Sequence, residues 1–145
     1  MTELSEDWEP LVEEMFALTR AALANAYVPI CDFPVAACLK AEQSRLFVGV
    51  NIENAVPGQS VCAETSALGA MIVSGARRLE HILVLGGSEK LKQFCSPCGG
   101  CRQRLLEFCD QSTLIHLVRL DGRRFTTPFF NLMPNAENLR TGRSR

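Results

Sequence analysis

The chain has 145 residues, 47% hydrophobic and 21% charged, the balance of a soluble globular protein large enough for one sizeable core. A formal net charge of −1 gives no electrostatic basis for gripping a polyanion or an anionic membrane, and no apolar run reaches bilayer-spanning length. The acidic start lacks the regions of a secretory signal, and seven cysteines, an odd number, read as thiols in a reducing cytosol.

A first helix is predicted to start near Ser5 to Pro10, with Glu9 or Ser5 as cap and Pro10 early in the first turn. Leu11, Met15, Leu18 and Ala22 recur at helical spacing, with Val12, Phe16 and Leu23 widening the face, and the run ends near Asn25. Phe33 to Ala41 reads as a buried strand, Glu42-Gln43-Ser44 as a polar turn, and Leu46 to Val50 as the returning strand of a hairpin. Asn51 to Ser60, containing Pro57 and Gly58, is an irregular loop suited to forming a substrate wall.

A second helix opens at Cys62 and carries Ala63, Ala67, Leu68, Met71 and Ile72 until Gly75 stops it. His81 to Gly86 is a third strand and 87–94 a polar connection. A third helix runs from Pro97 and Cys98 through Leu105, Leu106 and Phe108 to about Cys109. Thr113 to Val118 is a fourth strand, Asp121-Gly122 a turn before Phe125, and Pro128 to Met133 a short helix. A hairpin followed by strand–helix–strand predicts an α/β fold, a three-layer α/β/α sandwich with a mixed sheet. Residues 1–139 then form a single domain, and 140–145, with Arg140, Arg143 and Arg145, a frayed and solvated tail.

Two stretches carry chemistry: Cys62-Ala63-Glu64, and Ser96-Pro97-Cys98-Gly99-Gly100-Cys101-Arg102-Gln103. Each cysteine group opens an apolar helical run, where the positive end of the helix dipole favours thiolate over thiol. Three thiolates around Zn²⁺ leave the fourth tetrahedral position open, the mark of a catalytic zinc. Glu64 supplies a carboxylate beside that position, in reach of a metal-bound water. A His-or-Cys-x-Glu followed by Pro-Cys-x-x-Cys is the general signature of zinc deaminases of nucleosides and nucleobases.

The match widens beyond these motifs. Tyr27-Val28-Pro29-Ile30-Cys31-Asp32-Phe33-Pro34-Val35-Ala36-Ala37-Cys38-Leu39 and Asn51-Ile52-Glu53-Asn54 accompany them, and from about Tyr27 to Pro134 the chain resembles the small, homotetrameric cytidine deaminases. The resemblance implies hydrolytic deamination of free cytidine or deoxycytidine to the uridine nucleoside and ammonia, with Zn²⁺ on Cys62, Cys98 and Cys101. It implies that Glu64 shuttles protons, that Asn51 and Glu53 hydrogen-bond the ribose 3′-hydroxyl, and that Phe33 lies against the nucleoside. The Ala63 N–H would hold the pyrimidine O2 and the Ser96 carbonyl the leaving amino group. A cytoplasmic homotetramer is implied, with no nucleic-acid or membrane partner.

Three positions depart from the family pattern. Thr65 stands where the family has Arg after Cys-Ala-Glu, which leaves the thiolate charge less offset; two helix N-termini and Arg102 are candidates to compensate. Pro57 replaces a loop aromatic, and Met133-Pro134-Asn135-Ala136 runs into Glu137-Asn138-Leu139 without the closing phenylalanine. Blasticidin S deaminase shares two of these features, so another aminopyrimidine substrate or a modified cytosine nucleoside is the alternative, against which Glu53 argues. Cys95 leaves open a closed four-cysteine structural zinc site in a non-catalytic binding domain, and Cys-x-x-Cys a redox pair. His81 and His116 are read as core or strand-end residues, and Cys31, Cys38 and Cys109 as small buried apolar ones.

Overall fold

The computed structural model describes residues 9–88 and 93–136. The predicted tail at 140–145 and the Ser5 end of the first helix lie outside the described residues. Helix α1 spans Pro10–Leu23, with Glu9 as its N-cap residue but with no capping bond from the Glu9 side chain. Its buried face is Val12, Met15, Phe16 and Thr19, while Leu18 is 38% exposed, so the stripe is rotated from the one read off the sequence. Thr19 can sit inward because its hydroxyl donates to the carbonyls of Met15 and Phe16, at 3.0 and 2.9 Å.

Strands β1 (Val35–Ala41) and β2 (Arg45–Val50) form the predicted antiparallel hairpin, joined at Glu42–Ser44. Helix α2 (Ala63–Val73) ends before Gly75, whose φ of +90° suits glycine. Strand β3 (Leu79–Gly86) returns beside β1, and after helix α3 (Gly99–Leu106) strand β4 (Leu114–Arg119) pairs parallel to β3. A fifth strand, β5 (Arg124–Pro128), pairs antiparallel to β4 where the sequence reading placed only a turn and Phe125. Its Arg-Phe-Thr-Thr-Pro run has little apolar alternation, and Pro128 fits only because β5 is an edge strand. Helix α3 is also shorter than expected, stopping at Leu106, and Pro97 precedes its N-cap Cys98 rather than lying in its first turn.

The mixed sheet has the order β2-β1-β3-β4-β5, with residue parity dividing its two faces. Leu39, Ile82, Val84, Ile115 and Leu117 face α2 and α3 and form one core with Leu68, Met71, Leu105, Leu106 and Phe129. Cys38, Leu83, Leu85 and Val118 face α1 and pack on Val12, Met15 and Phe16. The result is the expected three-layer α/β/α sandwich. Phe129, fully buried from the turn after β5, by itself contributes about 2–3 kcal/mol of apolar burial.

The α1 face also holds a polar chain across three strands. His81 and His116 bring Nδ1 and Nε2 to 3.0 Å, and His116 Nδ1 lies 2.6 Å from the Thr126 hydroxyl. One proton serves the contact between the rings; two would set like charges side by side. Burial first, then the charges of His81 and Arg124, hold His116 down at about 4 against the usual 6.5. Because the folded value lies below the unfolded one, the neutral imidazole contributes stability above pH 6.5 that is lost as pH falls towards 4. That contribution is on the order of 3 kcal/mol. Urea unfolding between pH 7 and 4.5 is expected to show the loss, and His116→Leu to flatten the pH slope by up to one proton. An unchanged slope in the variant would exclude the pair as its source.

Candidate active site and metal centre

A small ladder gathers the loops that the sequence marked. Ile52 bridges Tyr27 on one side and Val61 on the other, with Tyr27 N–H donating to Asn51 O and Glu53 N–H to Tyr27 O. This places the 27–33 loop, the Asn51–Asn54 stretch and the start of α2 side by side. Within it Asn51 is structurally engaged: its Oδ1 accepts from Val35 N–H at 2.8 Å and its Nδ2 donates to Phe33 O at 3.0 Å. One amide therefore fixes the entry into β1 and the half-buried Phe33, and each of its two polar atoms still has capacity for a second bond.

Glu53 turns back onto the loop, accepting from the N–H groups of Ile30 at 2.6 Å and Cys31 at 3.0 Å. A hydrogen bond from Cys31, followed by these backbone donors, holds its carboxyl below the ordinary range. The same arrangement corrects one expectation: Cys31 is exposed beside Glu53 and is not a buried apolar residue. Cys38 and Cys109 are buried as expected, and burial pushes both thiols up to about 12.

Cys62 and Cys98 are the N-cap residues of α2 and α3, so the two helix N-termini converge. Their sulfurs are 3.8 Å apart, and the sulfurs of Cys62, Cys98 and Cys101 all lie within 4.8 Å of one another. A tetrahedral zinc with bonds of about 2.3 Å sets its sulfurs roughly 3.8 Å apart, so the donor set fits the ion. Cys98 Sγ accepts the Cys101 N–H at 3.4 Å, and that backbone bond leads the causes holding this thiol below its usual value. Cys95 lies outside the cluster, packed on the main core and against Gly86, where an added Cβ would sit 2.3 Å from the Cys95 Cβ. All seven cysteines are free thiols. Among the described residues the site is therefore a three-sulfur one with an open side, not a closed four-cysteine knuckle, and Cys98 and Cys101 form no disulfide.

Glu64 is 3% exposed in the first turn of α2, and burial pushes its carboxyl upward, against the pull of its own backbone N–H and of Cys101. Ala63, beside it, is fully buried. Thr65 brings its hydroxyl 3.7 Å from Cys101 Sγ. The expectation that Arg102 offsets the sulfurs gives way to another role. Its guanidinium donates to Pro97 O (2.9 Å), Leu132 O (3.2 Å) and Ser96 Oγ (2.8 Å), tying the Ser96–Pro97 approach to the turn after β5.

Gly49 is the residue that sequence reading missed. A Cβ there would lie 2.3 Å from Ala67 N and 2.4 Å from Ala63 O, so the first turn of α2 rests directly on the β2 backbone. Ser66 Oγ pins the same turn to Val50 O at 3.0 Å. The signal available was a lone glycine inside a strand run, which marks close approach of another backbone.

The protein-family model described as the cytidine and deoxycytidylate deaminase zinc-binding region matches residues 11–117. Cytidine deaminase from Sporosarcina psychrophila is 37% identical over 125 residues, covering 86% of this chain and 90% of that protein. Cytidine deaminase from Mycoplasma genitalium is 40% identical over 98 residues, covering 68% and 73%. Among solved structures, cytidine deaminase from Burkholderia pseudomallei superposes with a TM-score of 0.78 at 31% identity, covering 86% of this chain and 98% of that one. The Mycobacterium tuberculosis enzyme gives 0.74 at 29% identity, covering 92% and 100%. With three sulfurs spaced for zinc and a buried carboxylate at their side, the chain belongs to the zinc-binding cytidine and deoxycytidylate deaminase family.

Proposed function

We propose that the protein hydrolyses the exocyclic C–N bond of free cytidine and deoxycytidine, giving the uridine nucleoside and ammonia, within one deaminase domain. The observation that carries this reading is the convergence of Cys62, Cys98 and Cys101 with Glu64 buried beside them. The three cysteines hold the ion. When bound, zinc supplies a Lewis acid that brings a water pKa down to about 7. Glu64 takes a proton from the attacking water and delivers it to the pyrimidine N3, which makes C4 electrophilic. Once the C4–O bond has formed, Glu64 takes the remaining proton of the added oxygen and passes it to the C4 amine, so that the C4 carbonyl forms as the C4–N bond breaks and ammonia leaves. Burial suits it to this work, because a carboxyl drawn upward towards neutrality both accepts and releases a proton readily.

The Ala63 N–H, at the first position of α2, holds the pyrimidine O2, and the Ser96 carbonyl, steadied through Arg102, receives the amino group. Asn51 and Glu53 hold the sugar with the bonding capacity that the loop leaves them, and Phe33 lies along the nucleoside. Tyr27, Ile30, Ile52 and Val56, between 45% and 72% exposed around this loop cluster, supply apolar surface for a second copy of the chain and support a homotetramer. Seven unpaired thiols support a cytosolic setting. No helix among the described residues is long and apolar enough to cross a membrane.

Thr65 and Pro57 favour a second reading, in which the pocket takes another aminopyrimidine compound. Ammonia release from cytidine, deoxycytidine, cytosine, blasticidin S and adenosine separates the two. Turnover of both cytosine nucleosides, with the free base and adenosine inert, is the expected result. Silence on both nucleosides with turnover of blasticidin S would replace the first reading by the second.

A further inference from the structure

We propose that the Thr65 hydroxyl is a positioning and charge-offsetting donor to Cys101, and that through this sulfur it tunes the metal. The two cysteine-bearing helices open in parallel ways. Cys101 stands three residues after the N-cap Cys98, and Thr65 stands three residues after the N-cap Cys62. With the helix N-termini converged, these two third positions meet, Thr65 Oγ1 lying 3.7 Å from Cys101 Sγ. A thiolate ligand carries no proton, so in the zinc-bound site the hydroxyl must be the donor.

The site has reason to need one. Zn²⁺ with three thiolates carries a formal charge of −1, and the Glu64 carboxylate lies buried against the same sulfurs. The neighbouring guanidinium of Arg102 is directed to Ser96, Pro97 and Leu132 instead. Cys98 receives the Cys101 N–H, and Cys101 receives Thr65, so both sulfurs of the Cys98–Cys101 pair have a donor from the polypeptide. Donation into a ligand sulfur draws charge from it and leaves the ion a stronger Lewis acid. Groups in this relation to a metal typically change affinity or activity 10–100-fold when removed.

This proposal rests on the zinc reading of the three-cysteine site. Its test uses the full chain loaded with cobalt(II), whose thiolate-to-metal charge-transfer band reports electron density on the sulfurs directly. Thr65→Val keeps the shape and removes the hydroxyl; Thr65→Ser keeps the hydroxyl. The expected result is a band moved to lower energy in Thr65→Val, with kcat of the zinc enzyme down about tenfold and KM little changed. Thr65→Ser should follow the parent in both. A Thr65→Val band that overlays the parent's, or a Thr65→Ser band shifted as far as Thr65→Val, overturns the proposal. A parent chain that takes up no cobalt overturns the zinc reading itself, whatever the variants do.

Discussion

Replacing Glu64 by Gln is expected to lower kcat on cytidine about 10²–10⁴-fold, the usual contribution of a positioned general acid–base. Zinc content should remain at one ion per chain. The amide is the same size as the carboxyl, so the tightly packed start of α2 is undisturbed, and Glu64 is not among the three sulfur ligands. What the variant loses is a group able to take a proton from water and return it to nitrogen. The carboxyl is raised by burial, and its own backbone N–H eases the cost of holding it beside the sulfurs. Metal analysis alongside single-turnover kinetics checks both halves. A Gln variant within tenfold of the parent would remove Glu64 from the mechanism, and a variant that loses zinc would recast it as a structural support of the metal centre.

The second large effect is expected from a methyl group. Gly49→Ala puts a Cβ within 2.4 Å of two backbone atoms, Ala67 N and Ala63 O, and 2.9 Å from Ser66 Cβ. Backbone cannot swing aside as a side chain does, so the first turn of α2 must lift off β2. Overpacking of this kind costs about 1–3 kcal/mol. The functional loss should be larger, because the lifted turn carries Cys62, Ala63 and Glu64 together. A misplacement of about 1 Å in a catalytic constellation costs about 10²-fold. The expected outcome is a folded chain with a modestly lower Tm, kcat/KM down about 10²-fold, and faster loss of zinc to a chelator. Parent-like kinetics would mean that α2 and β2 separate without moving the site. Gly75→Ala gives a control, since its strain lies at φ +90° at the far end of α2 with open space around it.

Asn51 and Glu53 show how far local pattern carries an argument. Their spacing in Asn51-Ile52-Glu53-Asn54 marked them as polar groups of a functional loop, and the structure does bring them beside Phe33 and the opening of α2. It also gives each a second duty. Asn51 fastens Phe33 to Val35, and Glu53 closes the 30–31 turn. A hydrogen-bond partner 16 to 23 residues away leaves no trace in local sequence, so the structural half of each role was not legible. Arg102 is the same case: its charge suggested an electrostatic partner for the sulfurs, and its geometry makes it a clamp on the Ser96 approach.

The sequence by itself determined the zinc ligands as candidates, the carboxylate beside them, and the succession of helices and strands that makes an α/β/α sandwich. Those features are local. A cysteine at the head of an apolar-periodic run, a polar turn between two short apolar strands, and a carboxylate two residues from a thiol are all encoded within one or two turns of chain. Tertiary structure alone decided which face of α1 is buried, that Arg124–Pro128 joins the sheet as an edge strand, and that His81 and His116 share a proton across β3 and β4. It alone showed that Cys95 stands outside the metal cluster and that Gly49 carries the weight of α2. These outcomes depend on strand register and helix docking, which bring residues distant in the chain, such as Gly49 and Ala67 or His81 and His116, into van der Waals or hydrogen-bond contact. Periodicity and capping set what each segment can be; only the packed sheet sets which segments press on which.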